Sequence, residues 1–262
     1  MARFDGILIC SDWDGTLHTK DGVVEEDIKA IGHFCKNGGR FTFCSGRQQT
    51  YLNDYIDTVK PNAPVISLNG AVITDIQASK TLHRTALDDD APRILGKVFA
   101  LGADINSVSV FHDQDNEVVR TSVNSYDEFV KVLHGCRIYK IVFIMPSVES
   151  TLYLQQLLPD ICDSRYTFVR SWETGIEMIS SKSTKGAAAL RLKNLLGAKT
   201  LVTVGDFEND IDMMQAADIS YAVASAPDHV KAFASRVTAS PCGGAIAEIV
   251  RDLERGSNSA SK

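Results

Sequence analysis

Residues 7–17 read Ile7-Leu8-Ile9-Cys10-Ser11-Asp12-Trp13-Asp14-Gly15-Thr16-Leu17, an apolar run that gives way to two aspartates and a glycine. A short continuous apolar run followed by turn-forming residues suits a strand buried on both faces of a parallel sheet. Open parallel sheets bind ligands just outside the carboxyl ends of their strands, which is where Asp12 and Asp14 fall. Two carboxylates two residues apart on an extended segment project to the same side, and Gly15 lets the chain turn sharply. Like charges this close raise one pKa unless a cation sits beside them. Acidic strand-end turns can also do no more than cap and solvate, so the meaning of this stretch depends on its partners.

Outward from this strand, apolar residues at Ile28, Ile31, Phe34 and Cys35 give helical spacing over 25–36, ended by Gly38-Gly39. A second strand is expected over 40–44, a second helix over 48–59 and a third strand over 64–68. Strands and helices that alternate in this way imply crossover connections and a parallel sheet. The pattern changes near Thr81. A helix is expected over 87–101, then two strands flanking Gln114-Asp115-Asn116, a strand over 138–145, a helix over 148–158, and strands over 166–170 and 175–179. Paired strands around turn residues suggest antiparallel hairpins packed with helices. From Thr184 the alternation returns, with a helix to Leu196, a buried strand over 200–204 and further short units to Leu253. The economical reading is an α/β domain interrupted by an α+β domain: core residues 1–82, insertion 83–183, core 184–255 and a disordered tail, 256–262.

A second acidic cluster, Gly205-Asp206-Phe207-Glu208-Asn209-Asp210, follows the apolar strand Leu201-Val202-Thr203-Val204. Asp206 could be a simple N-cap there. With Asp12 and Asp14, however, Asp206 and Asp210 bring four carboxylates to one sheet edge, a hard oxygen set that suits magnesium. Anion-binding groups are available too. Cys44-Ser45-Gly46-Arg47 ends the second strand and leads into a helix, so the Ser45 hydroxyl and backbone N–H groups can face a phosphate. Lys185, beside Gly186, opens another helix, where a cation is slightly unfavourable for the helix dipole and so hints at a separate purpose.

Together these segments resemble the haloacid dehalogenase superfamily of phosphotransferases, and its Cof-type branch in particular. The first motif is Asp12-x-Asp14-Gly15-Thr16 and the second Ser45-Gly46-Arg47. Lys185-Gly186 is the third, and Gly205-Asp206-x-x-Asn209-Asp210-x-x-Met213 the fourth; Asn69-Gly70-Ala71 is similar to a short marker that precedes the Cof-type insertion. Ser225-Ala226 departs from the Asn-Ala common at that place, and Trp13 is bulkier than the usual aliphatic residue. The resemblance implies a Rossmann-like parallel-sheet core with an inserted α+β cap domain. It also implies a magnesium-dependent phosphatase acting on a small phosphorylated metabolite, with sugar phosphate the modal substrate. Asp12 is then the nucleophile that becomes an aspartyl-phosphate, and Asp14 the general acid and base. Asp12, the Asp14 carbonyl and Asp206 hold Mg2+. Trp13 (through its backbone N–H), Ser45, Gly46, Lys185 and Asn209 contact the phosphate, and Asp210 orients Lys185 or a metal-bound water. Arg170, Trp172 and Glu173, expected in a loop of the insertion, are candidates for contacts to the leaving part of the substrate.

Composition narrows the alternatives. The 262 residues are 44% hydrophobic and 23% charged with a net charge of −6, and no cluster of Lys and Arg suggests a nucleic-acid partner. No stretch approaches the roughly 20 apolar residues that span a bilayer, and the first residues lack a signal-peptide apolar run, so a cytoplasmic protein with reduced cysteines is expected. A phosphosugar mutase on the same scaffold remains open, as does a non-catalytic metabolite-binding regulator, although the latter predicts damaged motifs. A nucleotide-binding dehydrogenase is disfavoured, since the first strand does not lead into a Gly-x-Gly-x-x-Gly turn. Oligomeric state is not legible.

Overall fold

The structure, a computed structural model, describes residues 2–115, 117–133 and 135–259. Asn116 of the expected hairpin turn and residues 260–262 of the expected tail lie outside them. The chain divides into two compact units, Met1–His83 with Lys185–Lys262, and Arg84–Thr184. The first unit begins with β1 (Ile7–Ser11), α1 (Glu25–Lys36), β2 (Arg40–Phe43), α2 (Gln49–Val59), β3 (Val65–Ser67), β4 (Val72–Asp75) and β5 (Lys80–Arg84), whose last residue enters the second unit. The second unit holds α3 (Ala91–Ala100), β6 (Ser107–Gln114), β7 (Glu117–Val123), α4 (Tyr126–Leu133), β8 (Ile138–Ile144), α5 (Val148–Leu157), β9 (Tyr166–Trp172) and β10 (Gly175–Ser180). The first unit then resumes with α6 (Lys185–Leu196), β11 (Thr200–Gly205), α7 (Ile211–Ala216), β12 (Ile219–Val223), α8 (Asp228–Lys231), β13 (Arg236–Thr238) and α9 (Ala245–Ser259).

The core sheet has the order β13-β12-β11-β1-β2, with every pairing parallel. Side chains of β1 and β11 alternate between two apolar clusters. Ile9, Val202 and Val204 join Ile31, Phe34, Ile246 and Ile249 of α1 and α9. Leu8, Cys10 and Leu201 join Ala188, Ala189, Leu192 and Met213 of α6 and α7. β1 is therefore apolar from Ile7 to Cys10, because both its faces are covered. From central β1 the chain first builds to one side, to β2, and later returns to the other, at β11. That reversal of strand order leaves a crevice at the carboxyl ends of β1 and β11, where such sheets bind ligands.

The second unit is a five-stranded antiparallel sheet of order β7-β6-β8-β10-β9. One face packs Val108, Val110, Ile141, Phe143, Ile176 and Met178 against Ile94, Leu95 and Val98 of α3, Phe129 of α4 and Leu154 of α5. The parallel α/β core and the antiparallel α+β insertion are the two architectures expected from the change in pattern near Thr81. Among the described residues, no helix is long and apolar enough to cross a membrane.

Several boundaries differ from expectation, each for a local reason. α3 starts at Ala91 rather than Leu87, because Pro92 occupies its first turn and Leu87 donates its N–H to Ile138 O (2.6 Å) in extended structure. β5 was not expected, and its sequence Lys80-Thr81-Leu82-His83-Arg84 lies largely exposed, with no alternation to reveal it. α9 carries on through Ser259, four residues into the expected tail. Each added residue of an established helix contributes a hydrogen bond without a new nucleation cost.

The two ends of the first unit are joined by Asp27 of α1, fully buried, whose Oδ1 accepts the N–H of Ala247 (2.8 Å) in the first turn of α9. Burial outweighs the N–H groups of Ala247 and Ile246 and pushes this carboxyl up to about 6 from its ordinary 3.8. The folded chain keeps the proton to a higher pH than the unfolded chain. This group's contribution to stability is thus full at the lowest pH and falls as pH rises from about 4 to about 6. Asp27→Asn, which never carries the charge, should gain on the wild type across that window by up to roughly 3 kcal/mol. Urea unfolding at pH 4.5 and 7.5 measures it, and an equal difference at both pH values rules the effect out.

Candidate active site

β1 and β11 bring the two acidic segments side by side. Ser11 is level with Val204, and Asp12 N–H donates to Val204 O (2.9 Å). Carboxylate oxygens of Asp12, Asp206 and Asp210 lie within 4.8 Å of one another. Lys185, the first residue of α6 and 1% exposed, donates from Nζ to Asp12 Oδ1 (2.5 Å) and Asp210 Oδ1 (2.6 Å). Burial alone disfavours its ammonium, but Asp12 and Asp210 override that and hold its pKa well above the usual lysine value. Burial, with Asp210 next, pushes the Asp12 carboxyl well above the carboxylate range, against the pull of Lys185. Asp206 is pushed up to about 7 by burial and then by Asp210.

Three carboxylates and one ammonium sum to −3 + 1 = −2 when all are ionised, in a place with little water to disperse the charge. A divalent cation balances that sum. The oxygens already lie near the roughly 4 Å that separates two ligands across one magnesium ion. Gly15 contributes room: its φ is +78°, and a Cβ there would lie 2.3 Å from Asp206 Oδ2. The residues present fit a magnesium ion. Asp206, considered from sequence as a possible N-cap, instead accepts the Thr16 hydroxyl (3.3 Å). The loop's amides go to Asp210, whose Oδ2 takes the N–H of Asp206 (2.9 Å) and of Phe207 (3.3 Å). With Oδ1 on Lys185, both oxygens of Asp210 are engaged.

The amide N–H groups of Trp13 and Asp14 have no protein acceptor among the described residues, so this turn offers two donors to an anion. The second motif differs from expectation. Residues 44–48 lie between β2 and α2, because Cys44 continues as an isolated parallel bridge to Ile66. Ser45 N–H donates to Ile66 O (3.0 Å), and Arg47 N–H to Ser45 Oγ (3.0 Å), so neither amide is available to a phosphate. The buried Ser45 hydroxyl retains its proton for that purpose. Buried Asn209 donates from Nδ2 to Asn69 Oδ1 (3.3 Å), which brings the short marker Asn69-Gly70-Ala71 to the site.

Asp14 stands apart from the other carboxylates. Arg47 grips it with two bonds, Nε to Oδ2 and Nη2 to Oδ1, each 2.8 Å. The motif alone assigns Arg47 no role, since a pairing 33 residues apart in sequence leaves no local signal. In the second unit, Arg170 and Trp172 lie within β9 rather than in a loop, because pairing with β10 runs on to Trp172–Gly175 through a register shift. Only exposed Glu173, of the three candidates, is in the turn. Arg170 is buried and Trp172 is 38% exposed. This sheet also holds a buried ion pair, Lys140 Nζ to Glu177 Oε1 (2.8 Å), with Ser171 Oγ donating to Glu177 Oε2 (2.9 Å). Lys140 sits in an otherwise apolar strand that reads as core.

Known proteins resemble this chain along most of its length. A provisionally named phosphatase of Mycoplasma genitalium is 28% identical over 258 residues, covering 88% of this chain and 91% of the relative. The 5-amino-6-(5-phospho-D-ribitylamino)uracil phosphatase of Bacillus subtilis is 23% identical, covering 94% and 96%. Among solved structures, a haloacid dehalogenase-like hydrolase from B. subtilis superposes with a TM-score of 0.80 at 22% identity, covering 94% of this chain and 99% of that one. A subclass IIB sugar phosphatase does so with 0.74 at 17% identity, covering 94% and 98%. At these identities the structural likenesses establish the fold. The profile of the haloacid dehalogenase-like hydrolases matches residues 9–250, nearly the whole chain, and the protein belongs to that family.

Proposed function

We propose that the protein is a magnesium-dependent phosphatase of small phosphorylated metabolites, working through a phosphoryl group carried on Asp12. The observation that supports it most is the buried cluster of Asp12, Asp206 and Asp210 around Lys185, next in sequence to the amides of Trp13 and Asp14, which have no acceptor among the described residues. Asp12 and Asp206, with the Asp14 carbonyl, would hold the magnesium ion, which supplies positive charge against the phosphoryl oxygens when bound. Asp210 is the orienting group, since Lys185 and two amides occupy its oxygens.

In the first half of the reaction an Asp12 oxygen attacks phosphorus. The bond to the leaving oxygen breaks, and that oxygen keeps the electron pair and takes the Asp14 proton. In the second half Asp14 removes a proton from water while the water oxygen attacks phosphorus, which frees phosphate and restores the Asp12 carboxylate. Lys185 keeps its charge beside the phosphoryl group throughout. The like-charge repulsion it opposes is about 4 kcal/mol per unit pair at ~4 Å and an effective dielectric near 20. Ser45, Gly46 and Asn209 complete the phosphate contacts in this reading, and the inserted unit serves as the cap that meets the leaving part of the substrate. The named relatives are phosphatases, which favours transfer to water over return of the phosphoryl group to a sugar. A sugar phosphate is the first substrate to test, within a panel of phosphorylated metabolites.

Asp12→Asn should lower phosphate release by at least roughly 10³-fold with an unchanged melting temperature. Acid quench of the wild type during turnover should trap phosphate on Asp12, detected by peptide mass. Turnover by a clean Asp12→Asn preparation removes Asp12 as the nucleophile. Magnesium should raise the melting temperature of the wild type by relieving the repulsion at Asp206 and Asp210. Asp206→Asn should respond far less, and equal responses from both proteins would place the ion elsewhere.

A further inference from the structure

We propose that Arg47 is a positioning residue for Asp14, held by an aromatic column, and that it aligns Asp14 for proton delivery to the leaving oxygen. This rests on the reading of Asp14 as general acid. Both side chains of the pair are about half exposed, 49% for Arg47 and 46% for Asp14. Exposed ion pairs are usually loose, because two long side chains must give up their freedom to meet. Here that freedom is restricted on every side. The Arg47 backbone is fixed at both ends, its N–H on Ser45 Oγ (3.0 Å) and its carbonyl accepting Leu68 N–H (2.9 Å). Its guanidinium carbon lies 4.7 Å over the Tyr51 ring. Tyr51 and Tyr55, four residues apart on α2, have ring centres 5.6 Å apart. Tyr55 in turn lies 4.7 Å from Trp13, which stacks on His18 at 5.0 Å and 16°.

Trp13 is the residue immediately before Asp14. The contacts therefore close on themselves, from Asp14 through Arg47, Tyr51, Tyr55 and Trp13 back to Asp14. The turn after Asp14 is tied as well, with Gly15 N–H on His18 O (2.9 Å) and His18 N–H on Trp13 O (2.8 Å). Trp13 is fully buried, and its unusual bulk gains a use: it is the far support of the column that steadies Arg47. The planar fork of arginine fixes both position and orientation of a carboxylate, which a lysine ammonium cannot do. To carry the proton Asp14 gives up one of its two Arg47 bonds and keeps the other, and an acid aligned by that bond matters in proportion to how badly the leaving oxygen needs a proton.

That proportionality gives the test. kcat/KM is measured for a series of aryl phosphates from phenyl to p-nitrophenyl phosphate, using the magnesium-loaded wild type, Arg47→Ala, Arg47→Lys, Tyr51→Leu and Asp14→Asn. The expected result for Arg47→Ala is a loss of at least about tenfold on phenyl phosphate and little loss on p-nitrophenyl phosphate, with added guanidinium restoring part of it. Arg47→Lys should show the same leaving-group pattern, and Tyr51→Leu a weaker form of it. If Arg47→Ala does not fold, the other two variants decide. A uniform loss across the series overturns the proposal, since it marks a role in phosphate binding or in structure. An Asp14→Asn protein without leaving-group dependence overturns the general-acid reading itself, and a normal Asp14→Asn pattern with a flat Arg47 response overturns only the positioning role.

Discussion

One buried ammonium, Lys185, organises the centre of this molecule. Nearly bare of solvent, it is stable only because Asp12 and Asp210 lie within 2.6 Å of it. Each partner comes from a different element, so the three can meet only if β1, β11 and α6 stand in one arrangement. Removing both acids would strand a buried charge, at a cost of several kcal/mol. The close approach of α6 also needs Gly186, where a Cβ would lie 2.5 Å from the Asp212 carbonyl. Asp212 secures the contact by accepting the Gly186 N–H (2.8 Å). Burial pushes the Asp12 and Asp206 carboxyls upward, and Asp210 adds to it, since one lysine cannot balance three acids.

Much of the fold was legible because the sequence pattern and the covering of each strand have a common cause. β1 lies between two helical layers, so it is apolar from Ile7 to Cys10, and the aspartates follow at its carboxyl end. α1 could be read to both ends, since its apolar spacing and the following glycines agree. Legibility fell where partners are remote or exposed. β5 is an exposed strand with no alternation, and α4 is a short helix that buries only Phe129 and Leu133. Composition places serine and arginine at the second motif, but only the bridge to Ile66 shows that the Ser45 amide is already used. The acidic cluster was foreseeable from strand ends alone. The isolation of Asp14 with Arg47 was not, because it depends on where a side chain 33 residues away happens to reach.

The two units treat buried charge differently. In the core, surplus negative charge collects at the sheet edge where a ligand can answer it. In the insertion, Lys140 and Glu177 form a buried ion pair of opposite charges, 2% and 3% exposed, with Ser171 bonded to the second carboxylate oxygen and the Phe111 ring 4.7 Å from the ammonium. A buried pair of this kind is close to neutral for stability but costly to break, so it fixes the identity of one residue on each of the neighbouring strands β8 and β10.

The strand order has a consequence for how the chain is made. β1 leaves the ribosome first, yet its neighbour β11 is encoded about 190 residues later, beyond the entire insertion. At translation speeds of roughly 5–20 residues per second, one edge of the most apolar strand waits on the order of ten seconds or more for its cover. During that interval the insertion, whose strands pair only among themselves, can complete its own core. Until β11 is made, that edge of β1 has no partner strand, so the late part of the chain completes the sheet that its early part begins.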